Sequence, residues 1–319
     1  MGGQRDFVHA MPMTANLMFS LMAGGAAASG LFVVPGLLAL GYSGSLCLLI
    51  PCVLATVPHW ALIHEAIHGH LHSRRSINEG VGRALAILFL APFDGLRFGH
   101  LSHHALNARP SERPELFDPR QHSRVRAAAV YYSRLLCGLH LVEVASGPLS
   151  LLPRRLLRPV VRRLFYDGAA DAGHMADRAE RVLLAPTTLR QLRVDALAVI
   201  VLLLFSVLTY GGAWPLLLLA LLGRAFLVSL MDNAPHYGGE LADPDQGFDM
   251  RLPGRLGALV LNTNLHGTHH RHPNLPWTAL PRAFRKDGGT YAGSYLVVPW
   301  RQLRGPVPLH PGPAGPNIS

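Results

Sequence analysis

Residues 45–63 read SLCLLIPCVLATVPHWALI and run, with no charged side chain, straight into His64-Glu65-Ala66-Ile67-His68. Nineteen such residues approach the ~20 that a helix needs to cross the hydrocarbon core of a bilayer. This stretch therefore reads as a membrane span that delivers two histidines at its end. Three more apolar runs, at about 15–40, 194–212 and 214–231, have comparable length. The turns between them fall at Gly41-Tyr42-Ser43-Gly44 and Tyr210-Gly211-Gly212. The expected fold class is an all-α integral membrane protein. Four transmembrane helices in two hairpins would carry a cytoplasmic helical cap that holds the histidines.

Composition agrees. Hydrophobic residues make up 50% of the 319-residue chain, charged residues only 15%, and mean hydropathy is +0.24. An average soluble domain is less apolar and does not bunch its apolar residues into charge-free runs. The first run is too long for the apolar region of a cleaved signal peptide, so it reads as an anchor. Basic residues set the orientation. The two short turns carry none, whereas 19 of the 29 lie between Arg74 and Arg193. By the positive-inside rule both termini and the central segment are cytoplasmic.

Histidines form three clusters, His64-x-x-x-His68, His100-x-x-His103-His104 and His266-x-x-His269-His270. On a helix, positions i, i+3 and i+4 share one face, so each cluster can aim its imidazoles at one point. With 18 histidines in the chain, HxxHH is expected roughly 0.06 times by chance. It occurs twice. Imidazole is a strong ligand for iron, zinc, copper and nickel. Eight convergent histidines exceed the three or four protein ligands of an ordinary zinc site, which argues for two metal ions. Hairpin topology places all three clusters on the cytoplasmic side, an agreement independent of their spacing.

The net charge of +10 is first explained by topology and by contact with anionic headgroups. The same basic face could dock an acidic redox protein or acyl carrier. No nucleic-acid reader motif is present, so nucleic acid is not an expected partner. Cys47, Cys52 and Cys137 form no CxxC pair and read as small buried hydrophobes. Residues 1–304 are expected to form one domain, with a short lead up to Thr14. Residues 305–319 form a proline- and glycine-rich tail expected to be disordered. Residues 80–97 read as one buried or interfacial helix that delivers the second cluster, and 109–126 as a surface loop. Residues 127–152 read as a membrane-surface helix.

The order hairpin, HxxxH, HxxHH, hairpin, HxxHH resembles the membrane fatty-acid desaturase and hydroxylase superfamily, over roughly Asn16 to Pro281. The segment Met231-Asp232-Asn233-Ala234-Pro235-His236-Tyr237-Gly238 is similar to the family's extra ligand segment after its last span. The resemblance thus implies a ninth ligand, His236. Relatives carry an asparagine four residues before that histidine; here Asp232 holds that position and Asn233 lies one residue closer. The resemblance further implies two irons that use O2 and two electrons to attack an unactivated C–H bond of a fatty acyl chain. The substrate would be a fatty acid, acyl lipid or acyl carrier in an apolar tunnel. Electrons would come from a separate redox protein, of ferredoxin or rubredoxin type, and its reductase. A bacterial inner membrane, with its lipid in contact with the spans, is the implied setting. Desaturation leads by family frequency; decarboxylation to a terminal alkene and alkane or fatty-acid hydroxylation stay open.

Metal-bound histidine usually gives its other N–H to a carboxylate or carbonyl. Candidates for such supporting roles are Glu65, Asp94, Asn107, Asp232, Asn233, Asn262 and Asn264. His70, His72 and His272 flank the clusters outside the matched spacing, and His59, His140 and His174 read as structural. Arg224 lies inside the last span, where a charge is costly; it could snorkel, pair with a carboxylate or meet a substrate headgroup. Two other classes fit part of the pattern. His64-Glu65-Ala66-Ile67-His68 also satisfies HExxH of zinc metalloproteases, but that leaves two clusters unexplained. A metal transporter would place its site near the bilayer midplane, not at one interface.

Overall fold

The computed structural model describes residues 11–107, 109–165, 172–241, 243 and 246–309. The end of the tail, from 310, and the lead before residue 11 lie outside these. The described chain is mostly helical. One departure from an all-α chain is a two-residue parallel pair, Leu116–Phe117 with Val307–Pro308, which fastens the expected loop 109–126 to the C-terminal segment.

The first helical run, Met13–Ala39, and the run Pro186–Asn233 are long and apolar enough to cross a membrane; two bent helix pairs raise the possible number of spans to four. One pair, Ser43–Leu54 and Thr56–His68, bends by 43°. Pro58, lacking an N–H and crowding the preceding turn, accounts for that bend. Met13–Ala39 meets Ser43–Leu54 so closely that a Cβ on Gly30 would lie 2.6 Å from Cys52 Sγ.

The second bent pair, Arg75–Leu88 and Phe93–Leu106, turns by 99°. Here the expected single helix over 80–97 is two helices. The chain breaks at Leu90, whose φ is +73°, and restarts after Pro92. A helix end leaves carbonyls, and a helix start leaves N–H groups, without intrahelical partners. Charged residues of the long run meet both ends. Arg224 donates to Leu88 O at 3.3 Å and His59 Nε2 lies 2.9 Å from Leu85 O. Asp195 accepts from Phe93 N at 3.2 Å and pairs with Arg83. A cation at the C-terminus and an anion at the N-terminus each match the helix dipole. Arg224 caps a broken helix, a contact outside the three possibilities open for it.

Asp195 and Arg224 would be ~43 Å apart on one straight helix at 1.5 Å per residue. Both touch the same break, so the run folds back at Gly211–Ala213 into two antiparallel helices, Pro186–Tyr210 and Trp214–Asn233. On the outer faces Leu204, Phe205, Leu208 and Leu219 are more than half exposed. Such a ladder of large apolar side chains is stable against lipid and unfavourable against water.

Between the two hairpins, helices Arg124–Ser133 and Leu139–Ser150 are joined by a π turn, Arg134–Gly138. Arg154–Leu164 pairs with Ala172–Leu183 through Leu157, Val161, Met175 and Ala179. Arg162 bonds Asp177 at 2.6 Å and Glu180 at 3.0 Å across this pair.

Candidate metal centre

Each histidine cluster sits at the end of a helix. Thr56–His68 carries His64 and His68 one turn apart and stops at Gly69 in the left-handed conformation. Phe93–Leu106 carries His100, His103 and His104 in its last two turns. The short helix His266–Arg271 carries His266, His269 and His270. His236 follows the end of Trp214–Asn233, where its N–H bonds Asn233 O at 3.0 Å.

The nine imidazoles converge into two groups. His64, His68, His100, His104 and His269 form one; His103, His236, His266 and His270 form the other, and within each group the ligand nitrogens lie within 4.8 Å of one another. In the first group Nε2···Nε2 separations are 3.0 Å for His64–His269, 2.9 Å for His68–His100, and 3.1 Å for His100–His104 and His104–His269. In the second they are 3.1 Å for His103–His236, 2.8 Å for His236–His266 and 3.0 Å for His266–His270.

These contacts cannot all be hydrogen bonds. A neutral imidazole nitrogen has either one proton or one lone pair, yet Nε2 of His100, His104 and His269 each faces two others. A shared cation resolves the conflict. With metal–nitrogen bonds of ~2.1 Å, ligands at right angles lie ~3.0 Å apart and tetrahedral ones ~3.4 Å apart. The observed edges match the former. An all-nitrogen set of five or four ligands on such edges fits iron, which takes five or six ligands, better than tetrahedral zinc.

The family model described as fatty acid desaturase matches residues 37–302, most of the chain. The chain belongs to the fatty acid desaturase family. It is accordingly an oxidoreductase of a membrane, with histidine groups able to hold metal. No curated protein matches it.

How this desaturase-family chain holds these histidines differs between the groups. His236 is 2% exposed. Its Nδ1–H donates to Gln246 O at 3.1 Å, which leaves the Nε2 lone pair for a metal. Arg113 donates to the carbonyl of His236 and to Gly239 O at 3.1 Å, and its charge is met by Glu115 at 2.7 Å; Arg113, Glu115 and His236 are all buried. The third cluster is braced by Asp249, which accepts from Thr268 N and Oγ1, both at 2.9 Å, and from Arg271 at 3.1 Å. Gly267 packs against Gly247 so tightly that a Cβ would meet Gly247 O at 2.2 Å. The first cluster is tied by Asn78, which donates to Ala66 O at 2.8 Å. Asn16 bonds Leu71 O at 2.9 Å and receives Trp277 Nε1–H at 2.8 Å.

Burial, reinforced by neighbouring imidazoles, holds the pKa values of His236, His266, His269 and His270 far below the usual histidine range. These rings are therefore neutral at physiological pH, the form that binds a metal.

The predicted supporting residues fall in three places. Near the histidines, Asn107 donates to Gln246 O at 2.6 Å and lies 3.5 Å from His270 Nδ1. Glu65 accepts Trp277 N at 3.3 Å and lies 3.9 Å from His64 Nδ1, and Asp232 lines the cavity beside the metal groups. Asn262, Asn264 and Asn233 tie loops, bonding Trp277 O at 3.0 Å, Met250 O at 2.8 Å and Gln302 Oε1 at 2.8 Å. Asp94 turns away to Arg83 at 3.0 Å and Arg97 at 3.4 Å. Of the flanking histidines, His272 bonds Asp287 at 2.7 Å and His70 stacks on His68 at 5.9 Å. Asp249, Arg113, Glu115 and the Gln246 carbonyl escaped sequence reasoning. The burial of Arg113 and Glu115 that gives them this role is a property of the fold and leaves no mark in the polar stretch that carries them.

Proposed function

We propose that this protein is a non-haem di-iron oxidase that uses O2 on a fatty acyl chain, and that the reaction is desaturation. The observation that carries the reading is the pair of adjacent nitrogen-only groups, five and four histidines, at the ends of apolar helices. Nine ligands for one ion would be too many, and two ions give each a common coordination number. The nine histidines are the proposed ligands. Bound iron supplies the oxidant for C–H cleavage, with electrons from a separate ferredoxin- or rubredoxin-type protein. The chain's own part is to hold neutral imidazoles in place, to orient His236 through its Nδ1–H, and to keep water away.

A cavity adjoins both groups and is lined by Val57, Trp60, Met231, Met250 and Leu261 among others. Its apolar wall suits the hydrocarbon part of a substrate. The HExxH reading has little support beside this geometry, because His64 and His68 share their group with His100, His104 and His269. We further propose four spans in two hairpins, with the cap and both termini on the cytoplasmic face of a bacterial inner membrane. The 99° pair then lies within the cap and does not cross.

Purified protein should contain close to two irons per chain, and cells that express it should accumulate an acyl chain with a new double bond. One zinc and no iron per chain would overturn the di-iron reading. A hydroxylated acyl chain or a shortened terminal alkene in its place would replace desaturation while leaving the centre intact.

A further inference from the structure

The cavity beside the histidines has a polar member that the metal centre does not use. Tyr295 lines it together with His64, His100, His103 and His266. Tyr295 is 9% exposed, and its buried hydroxyl makes no well-formed hydrogen bond within the chain, with the Thr263 hydroxyl as its polar neighbour. The neighbouring hydroxyl, of Thr263, donates its own proton to Val260 O at 2.9 Å. A buried hydroxyl without a well-formed hydrogen bond is left short by roughly 1–3 kcal/mol, and an acceptor oxygen entering the cavity would supply that bond.

The position of this phenol is set relative to the metal groups. Tyr295 N donates to Arg251 O at 3.0 Å, and Arg251 is bridged to Ser294. Two residues earlier, Asp249 is bridged to Leu265, the residue before His266, and Met250 N bonds Asn264 O at 2.7 Å. Residues 249–251 thus connect the third histidine cluster on one side to Tyr295 on the other. The ring packs against Met250 and Val298. A donor held this firmly can fix a ligand atom at a set distance from the metal groups. Burial pushes the phenol up to about 12, so it is protonated and acts as a donor.

We propose that Tyr295 donates a hydrogen bond to an oxygen of the substrate, so that the carbon oxidised lies within a few bonds of that oxygen. The substrate class is then an acyl or alkyl chain bearing a carbonyl, carboxyl or hydroxyl near the reacting carbon, with the rest of the chain along the apolar wall. This rests on the reading of the cavity as the site of acyl oxidation.

The test uses the full chain, metal-free in detergent, with Tyr295→Phe. Binding of methyl palmitate, palmitate, 1-hexadecanol and hexadecane is measured by titration calorimetry. The variant should bind at least one oxygenated ligand roughly five- to tenfold more weakly, the loss of about one hydrogen bond, and hexadecane equally well. The ligand with the greatest loss names the oxygen recognised. Equal affinities in variant and wild type for all four, or an equal loss for hexadecane, would overturn the proposal. Thr263→Val should leave all four affinities unchanged; a loss matching that of Tyr295→Phe would assign the contact to Thr263 instead. In iron-loaded protein, Tyr295→Phe should spread oxidation over several carbons, whereas a structural role would lower rate without moving its position. Failure of the di-iron reading would appear in iron content, which the binding contrast does not depend on.

Discussion

The two histidine groups use the same ligand chemistry but are assembled differently. The five-membered group draws on the ends of three helices, and four of its members, His64, His68, His100 and His104, come in i, i+4 pairs. Once those helices are packed, its geometry follows from helical spacing. The four-membered group takes one ligand from each of two places and a pair from His266–Arg271. His236 lies beyond a helix end and is oriented by Gln246 O and, through its backbone, by the buried Arg113–Glu115 pair. The five-membered group is therefore held by helices throughout, whereas the four-membered one depends at His236 on long-range polar contacts. Loss of a single buried contact should loosen the second more than the first.

The strongest challenge to this division is to remove one ligand from each side. His68→Ala and His236→Ala should each lower iron from two to about one per chain and abolish O2-dependent turnover. X-ray absorption at the iron edge should show that the remaining ion keeps its own ligand set. If either change releases both irons at once, the groups are one site and the comparison fails.

Arg113→Met should separate the groups without touching a ligand. It frees Glu115 in a dry environment, where breaking a buried pair costs about 3–5 kcal/mol, and removes the support of the His236 carbonyl. Changes of this kind weaken metal binding by roughly 10–100-fold. Chelator titration should therefore strip iron from the four-histidine group first, with the other ion retained. Equal loss from both would show that the Arg113 network serves the whole cap.

Asp195→Asn offers a contrast, because the break it caps sets the direction of Phe93–Leu106, and that helix feeds both groups. Removing the charge leaves Arg83 with Asp94 alone. Melting temperature should fall by an amount corresponding to about 3 kcal/mol, and chelator sensitivity should rise equally at the two groups. A selective effect on either group would mean that the break does not set the helix direction.

The same division decides what the sequence can show. Charge-free runs and i, i+3, i+4 spacing are local patterns, so the membrane segments and the helical clusters are legible in them. His236 has no periodic partner and was reached only through the likeness of its surrounding segment to a family. Asp249 acts on residues 19 positions away, and Arg113 on a carbonyl 123 positions away. The acceptor for His236 is the backbone of Gln246, which carries no side-chain signature at all. The break at Leu90 was equally silent, since leucine does not advertise a positive φ. Pro92 gave only a hint.

The smallest effect on iron binding should come from Asn16, which joins the helix-held group to the rest of the molecule. Its amide bonds His70 O at 3.0 Å and Leu71 O at 2.9 Å, just past the first cluster, and its oxygen accepts from Trp277 beyond the third. Asn16 itself is fully buried. Asn16→Ala would leave an indole N–H and two carbonyls unsatisfied, at a cost of about 1–3 kcal/mol for each group that stays buried. If helix geometry fixes the five-histidine group, this cost should appear as a lower melting temperature alone, with both irons retained and chelator release unchanged. Early release of the five-histidine iron in this variant would show that the helices position their ligands only while the N-terminal span holds them together.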